Sequence, residues 1–315
     1  MRILIYGAGV IGSLYAVLLK EAGYDTTIYA RGHRLEVLQN QGLLYKKNNI
    51  IKKVDIKVID HLQDNAIYDF IFLTVRENQL YQALKELKSN KSKTIITMVN
   101  TLDNYEKWES IVGKGKILPA FPGAGGSITN NILDAALTPK IIQPTTLSEI
   151  SGKKTKRTEQ LLQILKHAHI PYQQVNNMHI WQLCHLRMVV PLADAYYQTE
   201  NPKFVGQDKV VMRKTAIQLK KNFNTLYKNL NTLSPVKMHI FRYLPTSILI
   251  YILSQTFKSS FGKKFMYQHS MKAPDEMREL HKQFYYFTLN LRKLLLWVIL
   301  FSEYTITIFV ICFFK

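Results

Sequence analysis

Three glycines near the start of the sequence have the spacing of a phosphate-binding turn. Gly7, Gly9 and Gly12 follow an apolar run at residues 3–6, and an apolar helical pattern follows them. Strand, G-x-G-x-x-G and helix together are typical of dinucleotide binding, because the glycines permit a tight turn and the helix start offers free N–H groups to a pyrophosphate. A purely structural glycine turn is the alternative. The predicted pyrophosphate-binding residues are Gly7, Gly9, Val10, Ile11 and Gly12.

The next predicted strand, residues 25–30, ends at a basic residue. NAD-binding units usually place a carboxylate about 20 residues beyond the glycines, where it accepts hydrogen bonds from the ribose. This sequence has Arg31 there, followed by Arg34. A guanidinium binds a 2′-phosphate through paired hydrogen bonds, whereas a carboxylate repels it. Arg31, helped by Arg34, therefore favours NADP(H), although it could also simply open a solvated helix at residues 34–41.

Polar side chains follow two further apolar runs, at residues 68–75 and 94–99. Nearly continuous apolar runs are typical of parallel strands covered on both faces. In such a sheet the ligand crevice lies at the carboxyl ends of the strands. We therefore expect Thr74, Arg76 and Asn100 to line the cofactor, and Asn100 also to contact substrate. Arg76 could equally cap the helix predicted at residues 79–87.

The order of predicted elements divides the chain into two parts. Strands and helices alternate up to residue 175, with a glycine-rich turn at residues 122–127 and a helix at residues 154–168. Residues 42–59 are predicted to form a hairpin-like excursion, with its turn at residues 47–49 and apolar residues alternating at 54, 56 and 58. From Met178 onward only helices are predicted, at residues 178–197, 210–230, 244–257 and 273–289. The predicted fold is an α/β Rossmann-type N-terminal domain, residues 1–176, plus an all-α C-terminal domain, residues 177–290, followed by a tail at residues 291–315.

The composition indicates a globular, strongly basic protein. Hydrophobic residues make up 47% of the 315 residues, and the formal net charge is +20. The lysines are spread along the chain without an arginine-rich, aromatic segment, so a lysine-coated surface is favoured over nucleic-acid binding. The two cysteines, Cys184 and Cys312, cannot form a disulfide framework, which favours a reducing, cytoplasmic location. No Cys/His spacing predicts a metal site.

Several motifs in order give the sequence a family resemblance. GAGVIG at the N-terminus, ARGHR after the second strand, LTVRENQ after the third, then FPGAGG, QPTTLSE and MHIWQLCHLRMVVPL resemble the ketopantoate reductase family (2-dehydropantoate 2-reductases). The resemblance covers about residues 1–287. It implies an NADPH-dependent enzyme that reduces a 2-keto acid to a 2-hydroxy acid in pantothenate and coenzyme A biosynthesis, on a Rossmann domain plus a helical domain.

The resemblance is to a divergent member. The family's catalytic lysine and the asparagine one turn later are matched here by Gln182 and Leu186, and neither can act as a general acid. Arg76 matches the cofactor-side lysine, and Glu276 is a loose counterpart of the substrate-binding glutamate. Trp181 and His185 are four residues apart, so they share one helix face.

His185 can shuttle a proton at neutral pH, which makes it the candidate catalytic residue. The alternative is a core histidine. The sequence thus predicts a reductase of a small 2-keto acid, with a nucleotide-binding sensor or scaffold that has lost catalysis as the second hypothesis. A homodimer is left open.

The C-terminal tail is strongly apolar. Residues 294–314 contain one charged residue, Glu303, and their length fits a bilayer span. Arg292 and Lys293 before them would leave the preceding domains cytoplasmic. A membrane anchor, a final buried helix and an altered C-terminus without function are all compatible with this pattern.

Overall fold

The computed structural model describes residues 1–267, 270–271, 278, 280–283 and 286. Its strands are β1 (Arg2–Tyr6), β2 (Asp25–Tyr29), β3 (Leu43–Lys47), β4 (Ile50–Val54), β5 (Lys57–Ile59), β6 (Phe70–Leu73), β7 (Ile95–Met98), β8 (Ile117–Phe121), β9 (Ala124–Thr129), β10 (Ile132–Leu137), β11 (Thr145–Leu147) and β12 (Tyr172–Gln174). Its helices are α1 (Val10–Glu21), α2 (Gly32–Gln41), α3 (Leu80–Leu87), α4 (Tyr105–Val112), α5 (Lys156–His167), α6 (Met178–Tyr197), α7 (Lys209–Leu230), α8 (Ile240–Tyr243) and α9 (Thr246–Lys258).

A mostly parallel sheet forms the N-terminal part of the molecule. Its strand order is β12-β11-β8-β7-β6-β1-β2-β5, and only the β8–β11 pair is antiparallel. The apolar runs of β1, β6 and β7 are buried on both faces because helices cover each side. One core contains α1 and α5 residues, the other α3 and α4 residues. The predicted Rossmann-type domain is confirmed.

A second sheet, which the sequence did not predict, packs beside α1. Its order is β4-β3-β10-β9, with antiparallel hairpins at each side and a parallel contact that pairs Leu133 with Tyr45. Buried Leu43, Tyr45 and Leu133 join the core that contains Ala16 and Leu19 of α1. The second sheet therefore holds the helix whose N-terminus follows the glycine turn.

Two local predictions are corrected by this sheet. The hairpin turn at Asn48 and Asn49 is present, with φ of 52° and 62°, but the alternating residues 54–58 are not one strand of the hairpin. The chain leaves it at Val54, and β5 joins the large sheet beside β2. The glycine-rich residues 122–127 are not a turn either, since most of them belong to β9, which pairs along its length with β10.

Beyond Gln174 the described residues form helices and connecting turns, which confirms an all-α second part. The N-terminal end of α6 packs on the large sheet, because Met178 and Trp181 belong to the same core as α3 and α4. The rest of α6 packs on α7, where the Asn222 side-chain amide donates to the Arg187 carbonyl at 3.1 Å. A boundary between Asn176 and Asn177 stays a prediction.

The predicted tail falls outside the described residues, as does most of the helix predicted at residues 273–289. Among the helices that the structure describes, each is too short or too polar to cross a bilayer.

Candidate functional site

The glycine turn joins β1 to α1 at the carboxyl edge of the large sheet. Gly7 has φ of +115°, a conformation that L side chains rarely adopt. A Cβ on Gly12 would lie 1.9 Å from the Gly7 carbonyl oxygen and 2.5 Å from Thr74 Oγ1, so α1 reaches this close only with glycine there. At Gly9, by contrast, a Cβ would meet no protein atom within 4 Å. Backbone therefore closes one side of the turn, and the side at Gly9 is open.

The open side of the turn suits an anion. Gly9 is the N-cap of α1, and the first turn of this helix contains no acidic residue, so its exposed N–H groups face no competing carboxylate. Arg34 from α2 adds a positive charge, because its Nε donates to the Ala8 carbonyl at 3.1 Å and its Nη2 to Ser13 Oγ at 3.4 Å. Among the described residues, Arg34 Nη1 is buried without a hydrogen-bond partner. A pyrophosphate fits this combination of donors.

Arg31 lies where the sequence predicted, between β2 and α2, and it forms an ion pair that the sequence did not predict. Its Nη1 lies 2.9 Å from Glu86 Oε1 of α3. About half of the Arg31 side chain is exposed, so the guanidinium is reachable from solvent. Arg34 contacts the glycine turn rather than Glu86, so the two arginines serve different parts of the site.

The other predicted residues follow neighbouring strands along the same edge. Thr74 comes after β6, and its hydroxyl donates to the Gly7 carbonyl at 2.9 Å, so it stabilises the glycine turn. Arg76, two residues on, is exposed. Asn100 follows β7 and is 8% exposed, and its Oδ1 is a buried acceptor without a hydrogen-bond partner among the described residues. Their contacts with a cofactor or substrate stay predictions.

His185 lies in a stack of rings at the end of β8. Its ring is parallel to that of Trp181 at 5.0 Å, with an interplanar angle of 8°, and lies 4.4 Å from the ring of Phe121. Because Phe121 is the last residue of β8, His185 stands over the carboxyl edge of the sheet. His185 is only 4% exposed. The shared helix face of Trp181 and His185 is confirmed, and a catalytic role for His185 stays a prediction.

Gln182, at the position matched to the family's lysine, ties the two parts of the protein together. Its Nε2 donates to the Val99 carbonyl at 3.1 Å, and its Oε1 accepts from the Tyr105 hydroxyl. Burial raises the pKa of the Tyr105 hydroxyl, which keeps it protonated and able to donate. Gln182 is 1% exposed. Its amide thus serves an interdomain contact beside Asn100.

Other features lie apart from this edge or outside the description. Glu276 is not among the described residues. A cavity of about 460 Å³ between α4 and the start of α6, lined in part by Tyr105 and His179, includes none of the predicted site residues. The described residues contain no group of His, Cys, Asp or Glu that could hold a metal ion.

Two residues of the site were missed from the sequence. Glu86 reaches Arg31 across 55 residues of chain, and no local pattern marks a helix glutamate as the partner of a distant arginine. Phe121 was part of a quoted motif, FPGAGG, but its contact with His185 depends on how α6 packs against β8.

Comparisons with known proteins extend this picture. Residues 3–129 match the family model described as "Ketopantoate reductase PanE/ApbA". A 2-dehydropantoate 2-reductase of Pyrococcus horikoshii is 31% identical over 115 residues, which cover 36% of this chain and 38% of that protein. One of Archaeoglobus fulgidus is 27% identical over 186 residues, which cover 57% of this chain and 58% of that protein. In these stretches the chain is similar to the ketopantoate reductases. The matched stretches span less than two thirds of either curated relative.

Solved structures show the same two-part fold as this chain. The 2-dehydropantoate 2-reductase of Porphyromonas gingivalis superimposes with a TM-score of 0.58 at 14% identity, over 86% of this chain and 98% of that one. A D-mandelate dehydrogenase solved with NADH and anilino(oxo)acetate superimposes with a TM-score of 0.56 at 14% identity, over 93% of this chain and 99% of that one.

Proposed function

We propose that this chain is an NADP(H)-dependent reductase of a small 2-keto acid, similar in activity to the 2-dehydropantoate 2-reductases. The observation that carries the proposal is the shared edge of the sheet. The glycine turn after β1, Asn100 after β7 and the Phe121–His185 contact after β8 lie on strands that are neighbours through β6. A dinucleotide that extends along this edge passes from an anion-binding turn to a proton donor.

The residues at the β1 and β2 ends fit the phosphate groups of such a cofactor. Gly7, Gly9, Val10, Ile11 and Gly12 form the turn for the pyrophosphate. Arg34, whose Nη1 has no hydrogen-bond partner among the described residues, supplies a charge beside it. Arg31 is the candidate for the 2′-phosphate, which makes NADP(H) the proposed cofactor over NAD(H).

The residues at the β7 and β8 ends fit the reaction. The bound reduced nicotinamide supplies a hydride to the carbonyl carbon. His185, as the imidazolium, donates a proton to the carbonyl oxygen and becomes a neutral imidazole, which completes the 2-hydroxy acid. The buried Oδ1 of Asn100 accepts a hydrogen bond from the cofactor or the substrate. Arg76 adds positive charge near the carboxylate of the 2-keto acid. Trp181 and Phe121 hold the imidazole between two rings and exclude water from it.

The proposal is tested with the purified full-length chain, NADPH and a panel of 2-keto acids that includes ketopantoate. We expect the absorbance of the reduced nicotinamide to fall with at least one keto acid, and a 2-hydroxy acid to accumulate in equal amount. If NADPH binds, as seen by its fluorescence, but is not oxidised with any member of the panel, the reductase proposal is wrong and a binding function remains.

Three further expectations belong to this proposal. A reducing, cytoplasmic location agrees with Cys184, which is a buried free thiol. Light scattering measures whether the chain forms a homodimer. Cell fractionation of the full chain measures whether residues 294–314 contact a membrane. Nucleic acid is not a proposed partner, and steep salt-dependent binding to DNA would contradict that expectation.

A further inference from the structure

Four donors converge on the Glu86 carboxylate at the ends of β1 and β2. Its Oε1 accepts from Arg31 Nη1 at 2.9 Å and from Gln82 Nε2 at 3.1 Å. Its Oε2 accepts from the hydroxyl of Tyr6 and, at 3.1 Å, from that of Tyr29. The two tyrosine rings are stacked with centroids 4.4 Å apart. So many partners fix the position of this carboxylate far more firmly than an ordinary surface ion pair would.

The carboxylate is charged and still within reach of a ligand. Burial raises the pKa of Glu86, but hydrogen bonds from Tyr6 and Gln82 and the charge of Arg31 outweigh burial and hold the pKa below its usual value. The side chain is 27% exposed. An anion bound by Arg31 therefore lies close to a negative charge that the fold holds in place.

Because the Arg31–Glu86 pair lies near the end of β2, it can affect which cofactor binds. In dinucleotide-binding folds a carboxylate at this point accepts from the ribose hydroxyls of NAD, and an arginine accommodates the 2′-phosphate of NADP. This chain has the arginine on the strand end and obtains a carboxylate from α3. Both recognition groups are thus present at once.

We propose that Glu86 tunes the cofactor preference of this site by opposing the 2′-phosphate of NADPH, so that the preference for NADPH over NADH is smaller than Arg31 alone would give. This inference rests on the proposed function. A 2′-phosphate carries a charge of about −1.5 to −2 at neutral pH. The negative charge of Glu86 cancels part of the attraction by Arg31, and NADH, which has no 2′-phosphate, is unaffected by this loss.

The test is the ratio of the dissociation constants of NADH and NADPH, measured by fluorescence without substrate. Replacing Glu86 with glutamine (E86Q) keeps the size of the side chain and removes its charge, and we expect the preference for NADPH to increase about tenfold. The matched control is Glu36→Gln. Glu36 lies on α2 beside Arg31 in sequence, is exposed and pairs with His33, so its loss changes the net charge equally without touching Arg31. We expect E36Q to leave the ratio within about twofold of the wild-type value.

A second variant changes the same site in the opposite direction and retains every tyrosine contact. Gln82 is exposed and one helical turn from Glu86, so Gln82→Glu adds a second carboxylate to the cluster. We expect its preference for NADPH to fall by about threefold to tenfold. If the wild type binds both nucleotides and the ratio is unchanged in E86Q and in Q82E, the proposed role of Glu86 is wrong and the proposed function is not affected. Failure of the wild type to bind either nucleotide overturns the proposed function and this inference with it.

Discussion

One end of the crevice depends on backbone geometry, and the other end depends on side chains. At the β1 and β2 end the site is made mainly of backbone, because the turn exists only if Gly7 accepts a φ of +115° and Gly12 has no Cβ. At the β7 and β8 end it is made of side chains, with His185 against Phe121 and Gln182 in an interdomain contact. The first end contains the glycine motif, and the second end depends on how α6 packs against the sheet.

This contrast indicates which end can change while the fold persists. A glycine required by backbone geometry has no substitute, whereas a proton donor can come from another position if a suitable group reaches the same space. Gln182 lies in the helix turn before His185, and both are buried at the junction of the two parts. We therefore expect variants to separate the ends: damage at one removes binding, and damage at the other removes turnover.

The largest effect is expected for Gly12→Ala. Its Cβ would lie 1.9 Å from the Gly7 carbonyl oxygen, so β1 and α1 must move apart. We expect NADPH binding to be lost and the free energy of unfolding to fall by about 3–5 kcal/mol. Calorimetry and denaturant titration measure these two quantities. Wild-type stability in this variant would mean that α1 does not pack on the turn as described.

The next effect is expected at the other end, for His185→Gln. We expect turnover to fall about 10²–10⁴-fold, because the proton donor is lost, while the dissociation constant of NADPH stays within about threefold. His179→Gln is the matched control, since His179 lies on the same helix but lines a separate cavity. If H185Q turns over as fast as H179Q, the histidine is a core residue and the proton comes from elsewhere.

A third variant tests whether Gln182 stabilises the fold. Gln182→Leu leaves the Val99 carbonyl and the Tyr105 hydroxyl without their buried partner, so we expect the free energy of unfolding to fall by about 2–3 kcal/mol. Gln41→Leu, at an exposed position, should change it by less than about 0.5 kcal/mol. Equal stabilities of the two variants, in denaturant titration, would contradict the interdomain contact.

Gly9→Ala tests NADPH binding at the glycine turn separately from stability. A Cβ at this position meets no protein atom within 4 Å, so the stability should stay within about 0.5 kcal/mol of the wild type. The methyl group nevertheless enters the space proposed for the pyrophosphate, and we expect NADPH to bind at least about tenfold more weakly. Undiminished binding would place the pyrophosphate elsewhere.

The smallest effect is a pH dependence of stability at Glu86. Its pKa is lower in the folded protein than in the unfolded chain, so the stabilisation is complete above the ordinary glutamate pKa and disappears as the pH falls through the lower, folded-state pKa. The difference in unfolding free energy between wild type and E86Q, about 1 kcal/mol or less near neutrality, should therefore shrink below about pH 4. A difference that grows on acidification would mean that Glu86 is destabilising when charged.

Local patterns in the sequence were sufficient for most of the helices and for most strands of the large sheet, but not for the second sheet, which depends on long-range pairing. The helix predicted at residues 178–197 matches α6, because its apolar periodicity and its N-cap, Asn177, are local signals. Most of the large sheet followed from apolar runs in the same way. The strand β9 was mistaken for a turn, since glycines weaken strand propensity and its pairing partner lies beyond the turn at Asn130 and Asn131.

The residues of the candidate site also divide into those that a local motif marks and those that depend on contacts distant in sequence. Gly7, Gly12 and Arg31 were found because a motif fixes their places relative to a strand and a helix. Glu86 and Phe121 were not, because each acts through a residue distant in sequence. Asn100 was placed at the correct edge of the sheet, but only burial shows that its Oδ1 lacks a partner among the described residues.

The stacked rings also give the protein an optical property. The indole of Trp181 lies 5.0 Å from the imidazole of His185, close enough for a protonated imidazole to quench indole fluorescence. Reduced nicotinamide absorbs light at the wavelengths that indole emits, so a cofactor bound along this edge would accept its excitation energy. The chain has three tryptophans, Trp108, Trp181 and Trp297, so in a variant that keeps only Trp181 its emission would report the arrival of the nucleotide.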